Sequence, residues 1–393
     1  MKDVRGDFPI LENNPKLVYL DSACTSLKPN RVIEAQMSYY KEFGACGGRS
    51  SHRLGRKTSE KVEEARETVA QFVGARREEL VWTRNATEAL NIVAQGLDYS
   101  KKRKVVTTMM EHHSVLLPFM RLAEKDRIDL EILPCDSEGK IGIERWSEAI
   151  DNKTALVATH SWNNTLGTGQ DVEKIAKIAH DNGAQICIDG AQGVPHHRCG
   201  FKNIDFLCFS GHKMLGPTGI GALVMKNMKT LEPLMAGGGT VKTVHLEKIH
   251  GLENHERFEA GIQHYSGIIG FSAACDYLKK IGMEEVERHE RTLGIAMEKA
   301  LLSGGAFIHG PKNLGEHGAL YSFNLKNAKA HDVALMLDKE DIACRSGFFC
   351  AQPAMDAIGA KEGAVRASAY IYNTSEDIKR FADALQKIRH LYD

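Results

Sequence analysis

From about Leu17 to Met225 the chain alternates short β-branched runs with stretches of helical period. That alternation limits the possible folds more than any other feature. Val81-Trp82-Thr83, Val105-Val106-Thr107-Thr108, Ala155 to Thr159, Gln185 to Asp189 and Phe206 to Phe209 read as strands. Lys57–Val73, Thr87–Gln95 and Val172–Asn182 read as helices, with Gly74 and Gly183 where helix C-caps are wanted. Strand–helix alternation of this kind predicts an α/β fold, a mostly parallel sheet covered on both faces. In such a sheet the chemistry gathers beyond the C-terminal ends of the strands. Asp189 ends one run, Ser210 and Lys213 follow another, and Thr87 opens a helix just after a third.

From about Arg257 the pattern changes. Long helices over Gly267–Leu278, Glu285–Leu302 and Ser375–Leu391 flank strands near Ala319–Asn324, Ile342–Arg345 and Val365–Ala369. A length of 393 residues suits two units rather than one core. The expected division is a large domain over 17–256 and a smaller C-terminal α/β domain over 257–393, with residues 1–16 packing against the latter.

Lys plus Arg and Asp plus Glu balance at 51 each. No attraction to nucleic acid or to an anionic membrane follows from that balance. The start lacks a signal-peptide pattern and no apolar run has the length of a membrane span. Nine cysteines, an odd number, several of them inside apolar runs, point to reduced thiols rather than a disulfide framework. A cytoplasmic protein with no metal site is the expectation.

Six short segments carry chemistry. Lys213 sits in the Gly-rich turn Ser210-Gly211-His212-Lys213, where partial desolvation would make its amine nucleophilic, and Ser210 and His212 beside it could donate to a phosphate. Asp189, at a strand end, could pair with a pyridinium nitrogen, and Gln192 with a ring hydroxyl; Asp189 could equally cap a helix. Thr87, at a helix start, offers a phosphate free N–H groups and a hydroxyl, or simply caps the helix. His112, within Glu111-His112-His113, could stack on an aromatic ring. Cys350, in a loop of small and turn-forming residues, has the setting of an accessible thiol. Arg366, on a short strand, could grip a carboxylate with two hydrogen bonds or join two domains by a salt bridge.

Together these segments resemble the pyridoxal phosphate (PLP)-dependent class V aminotransferase family of fold type I. Within it they are most similar to the cysteine desulfurase and selenocysteine lyase branch. The likeness runs from Tyr19-Leu20-Asp21-Ser22-Ala23 to Tyr372-Asn373-Thr374. It is most specific at Ser210 to Lys213, Asp189 to Gln192, Arg257 to Gly261 and Arg345 to Cys350. The short span from Arg345 to Cys350 is similar to the SUF-type group. The resemblance implies a large domain built on a seven-stranded sheet and a homodimer. It implies that Lys213 holds the cofactor as a Schiff base, that Asp189 pairs with its ring nitrogen, that Gln192 contacts its ring oxygen and that His112 stacks on the ring. Thr87, Ser210, His212 and the backbone of Ala86 would bind its phosphate. Asn164 and Arg366 would hold the substrate carboxylate, and His52 matches a histidine of the family's substrate region. Cys350 would take sulfur from L-cysteine, or selenium from L-selenocysteine, as a persulfide or its analogue. A scaffold for iron–sulfur clusters, or another acceptor protein, would then receive the sulfur.

Several positions depart from that pattern. Phe348 and Phe349 stand where the branch has two histidines before its cysteine. Ile262 replaces a threonine that reaches a phosphate across the dimer, and Ala86 replaces another threonine. Cys24 and Cys46 are additional thiols in segments that border the site in relatives; either they converge with Cys350 or they are unrelated buried thiols. A selenocysteine lyase, an aminotransferase or an epimerase on the same scaffold is the nearest alternative. A non-catalytic binding protein that keeps the fold is the remaining one.

Overall fold

A computed structural model describes residues 3–312 and 317–392. Seven strands form the main sheet: β1 (Leu80–Thr83), β2 (Lys104–Thr108), β3 (Asp129–Leu133), β4 (Thr154–His160), β5 (Gln185–Asp189), β6 (Phe206–Ser210) and β7 (Gly221–Met225). Their order is β1-β7-β6-β5-β4-β2-β3. All neighbours pair in parallel except β7, which is antiparallel to both β1 and β6. β1, β6 and β7 are buried throughout, as expected of strands covered on both faces. Helices Arg53–Phe72, Ala86–Gly96 and Val172–Asp181 stand where helical period was read, and Gly74 and Gly183 follow helix ends with φ of 73° and 65°. That left-handed backbone is what glycine accepts without steric cost.

Two strands have no counterpart among the runs read from sequence. β3 is an edge strand whose Asp129 and Glu131 face water, so its pattern is not apolar. β7 is masked in sequence by the glycine-rich turn before it.

A second sheet holds β8 (Phe307–Ile308), β9 (Leu320–Asn324), β10 (Arg345–Gly347) and β11 (Ala364–Ser368), in the order β8-β9-β11-β10. The run expected over Ile342–Arg345 divides at Cys344. Ile342–Ala343 pairs in parallel with Val18–Tyr19, while Arg345 begins β10 beside β11. Helices Met283–Ser303 and Ser375–His390 cover this sheet through Leu293, Met297, Phe381 and Leu385.

Helix Tyr265–Ile281 buries Ile268, Phe271, Ala274 and Leu278 in the same core as the main sheet and lies along helices Asn30–Ser38 and Arg53–Phe72. The N-terminal segment touches both units: Phe8 packs edge-on against Tyr277 and Tyr372, and Arg5 pairs with Asp377 at 3.0 Å. No helix among the described residues is long and apolar enough to cross a membrane.

The segment Arg257 to Gly261 is tied down by one buried ion pair. Glu259 receives both terminal nitrogens of Arg66, at 2.7 and 2.9 Å, and the Trp82 N–H at 2.8 Å. Removing one partner of a buried pair strands the other charge away from water. Glu259→Ala is therefore expected to lower stability by about 3–5 kcal/mol, read as a fall in the denaturant midpoint.

Candidate active site

A cleft of about 230 Å³ opens at the C-terminal ends of β2, β4, β5 and β6. It is lined by residues from both units: Ala86, Thr87, His112, Asp189, Gln192, Ser210, His212 and Lys213 from the large one, and Cys350 and Arg366 from the small one. Asn164, on the turn after β4, joins them. Of the residues expected to bind cofactor or substrate or to act in catalysis, His52 alone does not line the cleft. It is exposed and caps helix Arg53–Phe72, its Nδ1 accepting the Gly55 N–H at 3.2 Å.

One end of the cleft is a set of donors. Helix Ala86–Gly96 points its N-terminus here, and the Ala86 N–H donates to Ser210 Oγ at 2.8 Å. The cap is not Thr87 but Asn85, whose Oδ1 accepts the Glu88 N–H at 3.0 Å. Thr87 is left free to present its hydroxyl, which lies 2.7 Å from Ser114 Oγ. The backbone at Asn85 comes close to β7 because residue 221 is glycine: a Cβ there would stand 2.6 Å from Phe209 O and 2.7 Å from Asn85 Cα. Two hydroxyls, a helix N-terminus and the His212 imidazole make an anion site. His212 is held neutral, its pKa lowered to about 4 by burial, Lys213 and Lys28.

Lys213 closes the short 3₁₀ turn Gly211–Lys213 that follows β6. Burial pushes its ammonium pKa down; Asp189 pulls the other way, and Arg366 adds to the fall. A neutral amine is the form that can act as nucleophile or base.

Asp189 does not cap a helix. Its Oδ1 accepts the Ala191 N–H at 2.9 Å in a tight turn, and its other oxygen has no hydrogen-bond partner among the described residues. Burial raises its pKa, so the carboxylate is short of a cation. Gln192 donates its amide to Ala23 O at 2.8 Å, which fixes the side chain and leaves its oxygen for the cleft. His112 caps helix His113–Glu124: its Nδ1 accepts the Ser114 N–H at 3.1 Å. Burial, then Lys213 and His113, lower its pKa to about 3, so the ring is a neutral, flat surface.

Arg366 comes from β11 and is 3% exposed. It donates to Asn164 O at 2.9 Å and approaches Asp21 at 3.5 Å, while its Nε is buried with no partner. A buried guanidinium with an unpaired N–H is poised for a carboxylate.

The Cys350 loop is where the departures from the family's pattern acquire a role. Phe349 and Cys350 both have left-handed backbone, with φ of 53° and 55°. Such a conformation costs a non-glycine residue of order 1 kcal/mol or more. It is held by Asn164 Nδ2 donating to Phe349 O at 2.9 Å and by the His113 N–H donating to Cys350 O at 2.7 Å. The Phe349 ring lies 4.8 Å from the Arg366 guanidinium and is buried. The ring thus serves as a cation–π platform for Arg366 where a titrating side chain was expected. Cys350 itself is exposed at the mouth.

Of the other two thiols, Cys24 lines the same cleft, whereas Cys46 is exposed elsewhere, its sulfur 3.9 Å from Tyr265 Oη. Convergence therefore holds for two of the three. The structure also adds Asn85, Ser114, His160, Trp162 and Arg345 to the lining. Asn85 stood two residues before the expected helix and carried the usual capping signal. Arg345, which pairs with Asp21 at 2.9 Å, carried none.

Residues 18–381 match the sequence model of the class-V aminotransferases. A curated protein of Methanothermobacter thermautotrophicus, named "Probable cysteine desulfurase", is 41% identical over 98% of this chain and 98% of its own length. Among solved structures, an apo cysteine desulfurase from Thermococcus onnurineus superposes with a TM-score of 0.95 at 40% identity, covering 99% of each chain. A cysteine desulfurase from Escherichia coli in an S-sulfonic acid form gives 0.90 at 30% identity, over 99% of this chain and 98% of that one.

Proposed function

This chain belongs to the class V aminotransferase family, and from that premise we propose that it is a pyridoxal phosphate-dependent cysteine desulfurase. It converts L-cysteine to L-alanine and leaves the sulfur on Cys350. The observation that carries the proposal is one cleft that joins a half-buried lysine, an unpaired strand-end carboxylate, a carboxylate-ready arginine and an exposed thiol.

The residues fit the cofactor. The anion site at Ala86, Thr87, Ser210 and His212 suits its phosphate. Asp189, with one oxygen unpaired, suits its ring nitrogen; Gln192 suits its ring oxygen and the neutral His112 its face. Lys213 supplies the amine that holds it. When bound, the group supplies an electron sink that makes the substrate Cα proton acidic.

This chain's residues do the rest. Arg366, seated on Phe349 and Asn164, grips the substrate carboxylate and orients Cα. The Lys213 amine, which would hold the cofactor in the resting protein, is placed to take the Cα proton. The Cys350 sulfur attacks the substrate sulfur; the C–S bond breaks, its electron pair stays with Cβ, Cβ gains the proton given up by the Cys350 thiol, and Lys213 returns a proton to Cα to give alanine. Cys350 keeps the extra sulfur as a persulfide, which an acceptor thiol or scaffold protein removes. Exposure of Cys350 suits that hand-over.

Two further readings go with this one. The apolar side chains Val244, Leu246, Ile249 and Ile262 are all exposed on the excursion between β7 and helix Tyr265–Ile281. A second copy of the chain would cover them in a homodimer. All nine cysteines are free, even Cys187 and Cys208 with buried sulfurs 4.0 Å apart, which suits a reducing, cytoplasmic setting.

The test is turnover. Protein loaded with pyridoxal phosphate and given L-cysteine with a reductant is expected to yield alanine and sulfide in equal amounts. L-Selenocysteine in place of cysteine tests the lyase alternative. Pyruvate formed from alanine, or an absolute need for a keto acid, would point to an aminotransferase instead.

A further inference from the structure

One fully buried acid has no part in the chemistry above. Glu111 lies just beyond β2 and is 0% exposed. Its Oε1 accepts the hydroxyls of Thr108 and Thr159, each at 2.7 Å. Its Oε2 stands 2.9 Å from His160 Nδ1 and has no aligned hydrogen-bond donor among the described residues. Gln170 closes the far side: its amide nitrogen is 2.7 Å from Thr159 Oγ1 and 3.1 Å from His160 Nε2. A buried carboxylate oxygen aimed at one imidazole and nothing else is costly to keep, so a purely structural account leaves it unexplained.

His160 ends β4 and is the register partner of Asp189 at the end of β5. Side chains in register on neighbouring strands share a face about 4.8 Å apart, and both of these line the cleft. Because β2, β4 and β5 are adjacent, three strand ends in a row deliver Glu111, His160 and Asp189. The row runs from dry interior to cofactor site, where a charge is weakly screened.

We propose that Glu111 is a positioning residue that acts through His160 on Asp189. Its negative charge stands behind the carboxylate that pairs with the cofactor's ring nitrogen and helps to keep that nitrogen protonated. The proposal rests on the pyridoxal phosphate reading given above. The titratable groups facing Asp189 are Lys213, Glu111 and His160, so Lys213 is the opposing positive charge in this balance.

The test is spectroscopic and needs no turnover. Wild type, Glu111→Gln, Glu111→Asp and His160→Gln are each loaded with pyridoxal phosphate labelled with ¹⁵N at the ring nitrogen. The ¹⁵N shift reports whether that nitrogen carries a proton in exchange with solvent. Wild type is expected at the protonated-pyridine position. Glu111→Gln keeps hydrogen-bond acceptors but loses the charge, and is expected to move toward neutral pyridine. Glu111→Asp keeps the charge and is expected to move back toward wild type. His160→Gln cuts the link and is expected to move as Glu111→Gln does; it decides the matter if Glu111→Gln does not fold. Shifts for Glu111→Gln and His160→Gln equal to wild type overturn the proposal and leave the cofactor reading standing. A wild type that takes up no labelled cofactor overturns that reading, and the proposal with it.

Discussion

Lys213→Ala is expected to abolish both covalent retention of pyridoxal phosphate and turnover of cysteine. The visible absorbance of loaded protein, stable to gel filtration in wild type, is expected to wash out of the variant. A positioned base is worth about 10²–10⁴-fold in rate, and Lys213 is also the cofactor's anchor, so the loss should reach the upper part of that range. Misfolding would not account for it. The amine lies in surroundings that push its pKa down through desolvation. Its removal relieves that cost, so the melting temperature should be equal to or above that of wild type. A variant that retains both the band and the activity would mean that another amine does the work.

Cys350→Ser is the second large effect. A hydroxyl oxygen neither displaces sulfur from carbon at a useful rate nor stores it. Alanine formation is expected to fall by about 10³-fold or more, equivalent to about 4 kcal/mol. Cofactor binding should be unchanged, because Cys350 reaches the cleft from the small unit and is exposed at its mouth. The substitution keeps the loop's hydrogen bonds, which run through the backbone carbonyls of Phe349 and Cys350 rather than through the sulfur. Cys46→Ser, at an exposed thiol outside the cleft, is expected to leave alanine formation at the wild-type level.

What could be read in advance divides along physical lines. Lys213, Asp189 and Thr87 were legible because each sits at a strand end or helix start, and the alternation that predicts the sheet also predicts that those ends meet. The apolar strands other than β7 were legible for the same reason. β3, with Asp129 and Glu131 on a wet edge, was not. The packing of helix Tyr265–Ile281 was not legible, because it is held by side chains from helices far away in sequence. The part played by Phe349 was likewise hidden. Its ring meets Arg366 across 17 positions of chain, and no local signal distinguishes a cation–π platform from an inert phenylalanine. His52 shows the opposite hazard: it matched a family position, yet within one chain it serves as a helix cap.

The central claim is that the sulfur of cysteine passes to Cys350. Loaded protein should therefore be given one equivalent of L-cysteine without reductant, its thiols blocked, and its peptides mapped by mass. The account predicts one added sulfur atom on the peptide that carries Cys350, together with one equivalent of alanine. Alanine formed while the extra sulfur lies on Cys24, or on no cysteine at all, would contradict it.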